Sequence, residues 1–386
     1  MRVVLAPDKF KGSLTADQVA ARLEAGLVAA VPGIECVRIP MADGGEGTVD
    51  AALAAGFSPL SVFVTGPTGE RLEARLALRG NDAVVEMAAA SGLDVLPGGV
   101  KDALGATSRG TGELIRAALN AGATRITLGV GGSASTDGGA GLLRGLGAEV
   151  LDAAGEPLPE GGGSLSLAAT LDLSGLDARL ADTVMVLAAD VDNPLTGQRG
   201  APAVFGPQKG ASEEQVLLLD AALKNWAGVV GAALGQEAAD AAELPGAGAA
   251  GGVGYAALAA LNATRRPGVE VVAELVGLAA AVEQADAVIT GEGSLDEQSL
   301  GGKTPTGVAD AAKRAGKPVY AVCGRTTLGA DVWREAGFAD VVPLSQLEPD
   351  PQRSMAHAGE LVEEIGKQLG LRLLAKSESQ SIKEDA

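Results

Sequence analysis

Histidine is nearly absent from this chain: one residue, His357, in 386. A histidine-rich zinc site is therefore excluded, and a Ser-His-Asp triad would have to run through that single side chain. His357 falls in a predicted C-terminal helix, where a surface or packing role is the simple reading. Cysteine is almost as scarce. Cys36 and Cys323 are too far apart in sequence to make a disulfide framework or a metal knuckle, and they suit a reducing cytoplasm. Aromatic residues are 2% of the chain, which leaves no stacking platform for bases. Positive charge is also short. Lys and Arg number 30 against 49 Asp and Glu, for a formal net charge of −19, so nucleic acid is repelled across most of the surface.

Long hydrophobic runs are missing too. After Arg2 only Val3, Val4, Leu5 and Ala6 precede Pro7 and Asp8, too short for a signal peptide. The longest uncharged stretch, 244–264, carries five glycines and few large aliphatic residues. It reads as a glycine-rich loop leading into a buried helix and not as a membrane span. The expectation is a cytoplasmic protein with no membrane partner, and a homo-oligomer is left open.

What is abundant is small and apolar. Hydrophobic residues make up 47% of the chain, enough to build a core from Ala, Val and Leu. Glycine numbers 56, about twice the ordinary share, with no collagen-like period, so the excess belongs to loops and close-packed sites. At about 150 residues per domain, the length suggests two or three domains.

The opening is a β-α unit. Residues 2–6 form a short apolar run like a strand covered on both faces. Thr15 and Gln18 make a capping box, and Val19, Leu23 and Leu27 recur at helical spacing. A strand is expected at 34–39. At 60–64 and 71–78 two strand-like runs flank the turn Gly66-Pro67-Thr68-Gly69, and another strand is expected at 83–86. A helix at 113–120, a strand at 125–128, a glycine-rich loop at 129–139 and a strand at 184–189 follow. Helices are expected at 213–234 and 269–283. The β-α alternation then returns, with strands at 286–290, 318–323 and 340–342, and helices at 306–315, near Val332 and at 355–369.

This order predicts an α/β protein. A Rossmann-like parallel-sheet domain is built from both chain ends (1–60 plus 285–375), a second α/β domain (61–284) is inserted, and 376–386 is a flexible tail.

Four expected strand-tip loops share a recipe of glycines with one or two carboxylates. They contain Asp43 and Glu46, Ser133 and Asp137, Asp190 and Asp192, and Glu292 and Asp296. Glycine lets main-chain N–H groups approach a phosphate closely, carboxylates suit the oxygen-seeking Mg²⁺, and α/β sheets hold ligands at the carboxyl ends of their strands. Together they suggest metal-assisted phosphoryl transfer from a nucleotide. Taken singly, each loop is an ordinary turn with a capping Asp.

Two other nucleotide motifs are weaker. Gly129-Val-Gly131-Gly132-Ser133-Ala134 fits a dinucleotide fingerprint and supports an alternative, an NAD(P)-dependent oxidoreductase of small hydroxy acids. Gly301-Gly302-Lys303-Thr304 ends like a Walker loop, but Glu297 stands where its first glycine should be. Lys9, Lys11, Lys209, Lys303 and Arg325 are cations at loop positions, able to hold an anion or simply to be solvated. The stretch 245–254 either wraps a ligand or lets two helices pack closely. A third reading is a two-domain binding protein without chemistry.

Nine ordered motifs carry a resemblance. They are Ala6-Pro-Asp8-Lys9-Phe-Lys11-Gly-Ser-Leu14, Pro40-Met-Ala-Asp43-Gly-Gly-Glu-Gly-Thr48, Glu86-Met-Ala-Ala-Ala-Ser91-Gly92, Gly110-Thr-Gly-Glu-Leu-Ile115, Gly131-Gly-Ser-Ala134 with Asp137-Gly-Gly139, Asp190-Val-Asp192-Asn-Pro-Leu195, Phe205-Gly-Pro-Gln208-Lys209-Gly-Ala211, Pro245-Gly-Ala-Gly-Ala-Ala-Gly251, and Thr290-Gly-Glu292-Gly293 with Asp296 and Gln298. Over nearly its whole length the chain resembles the bacterial glycerate kinase family, the two-domain α/β kind unrelated to P-loop kinases. Departures are small: Lys9 where many members have Ser, and Ser135-Thr136 where Thr-Asn is common.

The resemblance implies ATP-dependent phosphorylation of D-glycerate, usually at the 2-position, in an interdomain cleft, with ATP and Mg²⁺ as cofactors. It implies catalytic roles for Asp190, Asp43 and Lys11, and Mg²⁺ held by Asp190, Asp192 and Glu292. Substrate or phosphate contacts are implied for Asp8, Ser91, Gly131, Gly132, Ser133, Asp137, Gln208, Lys209 and Lys303.

Overall fold

The structure, a computed structural model, describes residues 1–384. The chain divides into two compact units. One is Met1–Asp43 with Val269–Ala386, the other Gly44–Gly268. The first is thus made from both chain ends and the second is inserted. The divide falls earlier at both boundaries than 60/61 and 284/285. Residues 44–60 belong with the inserted unit because helix Thr48–Ala54 packs on strands Arg71–Arg79 and Asp82–Glu86. Residues 269–284 belong with the terminal unit because helix Leu278–Glu283 packs on helix Thr304–Arg314 and strand Arg2–Pro7.

The terminal unit holds a five-stranded sheet. Its spatial order is Phe338–Pro343, Val319–Thr326, Ala287–Leu295, Arg2–Pro7, Glu35–Arg38, and every neighbouring pair is parallel. Strand Arg2–Pro7, inside the sheet, is apolar because both faces are covered, and Val3, Val4, Leu5 and Ala6 have no exposure. One face is closed by helices Ala16–Ala30 and Ala358–Glu384, whose Val19, Leu23, Leu27, Val362, Ile365 and Leu369 join the strand residues in one core. The first helix starts where expected, on a complete Thr15–Gln18 capping box. The two helices cross so closely at Gly26 that a Cβ there would lie 2.0 Å from the Glu363 main-chain oxygen.

Four sequence expectations change here. The strand begun near 286 runs on to Leu295, so Glu292 lies within a strand, opposite Cys323, and not in a loop. The last helix is two, Pro351–Ala356 and Ala358–Glu384, with His357 at the break, exposed beside Glu360. The second helix continues through the segment expected as a tail from 376; residues 385–386 of that segment lie outside the described residues. A single helix at 269–283 is likewise two, Gly268–Leu275 and Leu278–Glu283, parted by Gly277 in the left-handed region at φ 69°.

The inserted unit holds a six-stranded sheet ordered Thr264–Arg266, Val184–Ala188, Arg125–Gly129, Asp82–Glu86, Arg71–Arg79, Ser58–Thr65. The first four are parallel, and the last two add an antiparallel hairpin across the predicted 66–69 turn. Helix Arg109–Asn120 begins four residues before the expected 113. Helix Glu213–Leu234 is long and apolar enough by composition to cross a membrane, but its Leu219, Leu223, Trp226 and Val230 are buried in this unit's core. The stretch 244–264 leads into the buried helix Val253–Ala260, as expected.

Candidate active site at the strand ends

In both units the carboxyl ends of the parallel strands carry the polar residues. In the terminal unit Asp8 follows strand Arg2–Pro7, and its N–H extends the ladder to the Gly291 oxygen at 2.8 Å. Asp8 Oδ1 accepts from the Lys9 main-chain N–H at 2.6 Å and Oδ2 from the Thr304 hydroxyl at 2.7 Å. Thr304 is fully buried at the start of helix Thr304–Arg314. Burial, and then the neighbouring Asp43 carboxylate, push the Asp8 carboxyl up to about 7. Glu292 is also pushed up to about 7, first by burial and then by Asp8 and Asp296, while Ser299 and Lys303 oppose the shift. Its Oε1 is buried with no hydrogen-bond partner.

Asp8, Asp43, Glu292, Asp296 and Lys303 thus form one electrostatically coupled cluster at the ends of two adjacent strands. Lys303, half-buried, precedes its helix and faces Glu292. Lys11 is exposed in the neighbouring loop, whose Gly12 has φ 80°. Arg325 Nε donates to Ser294 Oγ at 3.4 Å.

In the inserted unit the 131–139 loop is the centre of the arrangement. Gly131 allows main-chain contact, since a Cβ there would stand 2.6 Å from Gly45 Cα. Gly132 has φ 69°, and its oxygen accepts from the Leu93 N–H at 2.9 Å. Ser133 is buried against Gly92. Ser91 is buried: its main-chain oxygen accepts from the Ala134 N–H at 2.9 Å and its hydroxyl accepts from Thr111.

Asp137 is an anchor in this geometry. Its oxygens accept from the Ser108 N–H and hydroxyl and from the N–H groups of Gly139 and Gly141, at 2.8–3.1 Å. Burial raises its carboxyl, and these donors oppose that rise. Lys209, 1% exposed, donates to the Ser135 main-chain oxygen at 2.5 Å. Burial pushes its ammonium down to about 7, against the pull of Asp137. Gln208 is exposed. The hydroxyls of Ser135 and Thr136 are buried without a hydrogen-bond partner.

The stretch 245–254 packs on this loop. Gly251 accepts from the Gly138 N–H at 2.9 Å, and a Cβ on Gly251 would lie 2.1 Å from the Ser135 oxygen. Close packing thus accounts for much of its glycine. Asp190 Oδ1 accepts from the Gly268 N–H at 2.6 Å, and Asp192 Oδ1 pairs with Arg265 at 2.6 Å.

The carboxylates expected to hold Mg²⁺ come from both units, as the expected domains already had them. Asp190 and Asp192 belong to one unit, and Glu292 to the other. Among the described residues no three His, Cys, Asp or Glu side chains are grouped to hold a metal ion on their own. Asp192 is engaged by Arg265 and is a poor donor. The orphan buried oxygen of Glu292 fits a hard cation that brings its remaining oxygens with a ligand.

The dinucleotide reading finds no support. Helix Ala140–Gly145 starts only after the whole glycine-rich loop, whereas a Rossmann turn passes straight from strand to helix.

Sequence reasoning missed Thr304, Ser108 and Glu86. Glu86 Oε2 caps helix Thr48–Ala54 through the N–H groups of Gly47 and Val49, both at 3.1 Å. The GKT echo marked the place of Thr304. Ser108 had no local signal, because its partner lies 29 residues away.

Comparison with known proteins completes the description. A profile described as the Glycerate kinase family matches residues 3–374. The chain is 47% identical over 341 residues to Glycerate 2-kinase of Escherichia coli K12, covering 88% of this chain and 89% of that protein. It is 42% identical to Glycerate kinase of Bacillus subtilis 168, covering 98% and 99%. The crystal structure of a protein designated glycerate kinase 2 from Salmonella typhimurium LT2 superposes with a TM-score of 0.84 at 42% identity, covering 98% and 99%. The profile spans both units and the relatives align over nearly the whole of both chains, so the chain belongs to the glycerate kinase family.

Proposed function

We propose that the protein transfers the γ-phosphoryl group of ATP to the 2-hydroxyl of D-glycerate, releasing ADP and 2-phosphoglycerate. The observation carrying this reading is the match of the family profile to residues 3–374. The 2-position follows the Escherichia coli relative, whose name is Glycerate 2-kinase. The coupled strand-end carboxylates and the glycine-rich loop support phosphoryl chemistry, since such transfer relies on positioning and charge neutralisation.

In the proposed step the glycerate hydroxyl oxygen bonds to the γ-phosphorus as the bond to the β–γ bridging oxygen breaks. The hydroxyl proton passes to a carboxylate, Asp43 or Asp190. Lys11 neutralises the glycerate carboxylate or the transferred group. The 131–139 loop, with Gly131, Gly132 and Ser133, receives phosphate oxygens on main-chain N–H groups, and Ser91 and Asp137 hold that loop in shape. Lys209 fixes the Ser135 carbonyl, and Gln208 precedes it at the surface. Asp8 and Lys303 orient the substrate end. Mg²⁺, entering with ATP, would be held by Glu292 and would withdraw charge from the phosphate oxygens.

A coupled ADP-release assay with D-glycerate tests the reading, and phosphorus NMR of the product tests the position. No ADP release above the glycerate-free rate would sink the kinase assignment. A 3-phosphoglycerate product would overturn the regiochemistry alone.

A further inference from the structure

Strand Ser58–Thr65 is the outer strand of its sheet, and its open edge runs beside helix Arg109–Asn120. Between them lies a cavity of about 440 Å³. None of the strand-end residues assigned to phosphoryl transfer lines it. Val62, Val64 and Ala117 supply apolar wall, and Arg71, Arg116 and Asn120 supply polar groups.

The two acids of this cavity are committed elsewhere. Glu113 accepts from the Thr65 N–H at 2.6 Å, from the Thr65 hydroxyl at 3.1 Å and from Arg109 at 3.4 Å. Glu70 accepts from the N–H and hydroxyl of Thr68 through Oε2, and its Oε1 is buried beside Gly66 without a hydrogen-bond partner. The bases are differently placed. The Arg71 guanidinium lies over the Phe63 ring, 4.3 Å from its centroid, which leaves its N–H edges unused. Arg116 acts on Asp177 only at a distance, and Arg179 already pairs with that acid at 2.6 Å. Among the described residues neither Arg71 nor Arg116 has an ion-pair partner. The Asn120 oxygen accepts from Arg179, so its amide N–H₂ is left to donate.

The main chain adds to this polarity. Thr65 donates to Glu113, not to the neighbouring strand, so its N–H faces the open edge. By the alternation of an antiparallel pair, the Phe63 N–H faces the same way.

We infer that this cavity is a second ligand site, separate from the phosphoryl-transfer residues, for a small organic anion with two acidic groups. Two guanidiniums, an amide and a main-chain N–H offer donors, the walls are apolar, and the carboxylate oxygens are either hydrogen-bonded or, at Glu70 Oε1, buried out of reach. Two uncompensated arginines in one hollow stand out in a chain of net charge −19. A guanidinium matches carboxylate and phosphate equally through paired N–H donors, so dicarboxylates and phosphorylated carboxylic acids share this chemistry. The volume falls within the range of small-molecule sites.

Calorimetric titration of the full chain with malonate and with phosphoenolpyruvate tests the inference; neither probe has a hydroxyl to phosphorylate. The titrations are made with saturating ADP and D-glycerate present. At least one probe is expected to bind, and binding should weaken at least about tenfold in Arg116→Gln and in the Arg71→Gln, Arg116→Gln double variant. Probe-free turnover should be unchanged in both. Arg116→Gln alone keeps the test valid if loss of the Arg71–Phe63 stack disturbs folding. Tighter binding of phosphoenolpyruvate would assign phosphorylated acids to the site, and tighter binding of malonate would assign dicarboxylates. Absence of binding by both probes, or equal binding by wild type and Arg116→Gln, would overturn the inference.

Discussion

The ammonium of Lys209 donates a 2.5 Å hydrogen bond to the main-chain oxygen of Ser135, 74 residues earlier in the chain. Both residues are buried, and Asp137 anchors the other side of the same loop. A lysine placed this way holds the 131–139 loop to the turn at 207–209.

Removing that tether leaves a buried carbonyl without its donor. Lys209→Met should fold and lose turnover at least about tenfold, with the fall mainly in kcat. It should also change how stability depends on pH. The folded lysine gives up its proton at about 7, against 10.5 as the ordinary value. Between those values the unfolded chain binds more protons, so this group makes stability rise with pH across that window. Urea unfolding at pH 7 and pH 9 should show a smaller rise in Lys209→Met than in wild type. An unchanged rise would mean that the ammonium is not buried in solution.

Glu292 carries the opposite sign. Its folded carboxyl keeps its proton up to about 7, against an ordinary 4.5. Within that interval the folded state holds more protons, so stability falls as pH rises through it. Glu292→Gln stays neutral and should be more stable than wild type at pH 8, with the gain vanishing below about pH 4.5. Turnover should fall by about 10² or more. Thermal melts at the two pH values and a rate assay decide; a variant less stable at pH 8 would contradict the described burial.

Asp190→Asn and Asp43→Asn separate chemistry from folding. The Oδ1 of Asp190 accepts from Gly268, a bond that an asparagine oxygen can keep. Each variant should melt close to wild type while its turnover drops by orders of magnitude. Near-native rates in both would remove these carboxylates from the proposed step.

Gly138 is constrained twice. Its φ is 62°, and a Cβ would stand 2.5 Å from Trp226 Cδ1. Gly138→Ala combines backbone strain with overpacking and should lose about 2–4 kcal/mol of stability. Gly155→Ala, with φ 84° and nothing within 4 Å of the added carbon, meets the strain alone and should lose about 1 kcal/mol. Equal losses in urea titrations would show that the Trp226 contact is immaterial.

Much of the fold is legible in the sequence because it rests on local signals. The apolar run at 2–6 gave a strand covered on both faces, Thr15 with Gln18 gave a helix start, and Gly66-Pro67-Thr68-Gly69 gave a hairpin. Boundaries failed where long-range pairing overrides local composition. Glycines at 291 and 293 looked like a loop, yet pairing of Gly291 with Val322, Glu292 with Cys323 and Ser294 with Arg325 carries the strand past them. The site divides along the same line. The carboxylates and lysines stood out by type, whereas Thr304 reaches Asp8 across 296 residues and Ser108 reaches Asp137 across 29, and no local pattern encodes either bond.

The arrangement of strand Arg2–Pro7 bears on the order of assembly. One of its two neighbours, Ala287–Leu295, is made only after the whole of Gly44–Gly268 has been synthesised. The contiguous middle segment can therefore collapse on the ribosome, while the first strand waits, partly unpaired and apolar, for its later partner. Nascent chains halted before residue 287 should consequently expose that strand to chaperones, a vulnerability that ends once Ala287–Leu295 has emerged from the ribosome and paired with it.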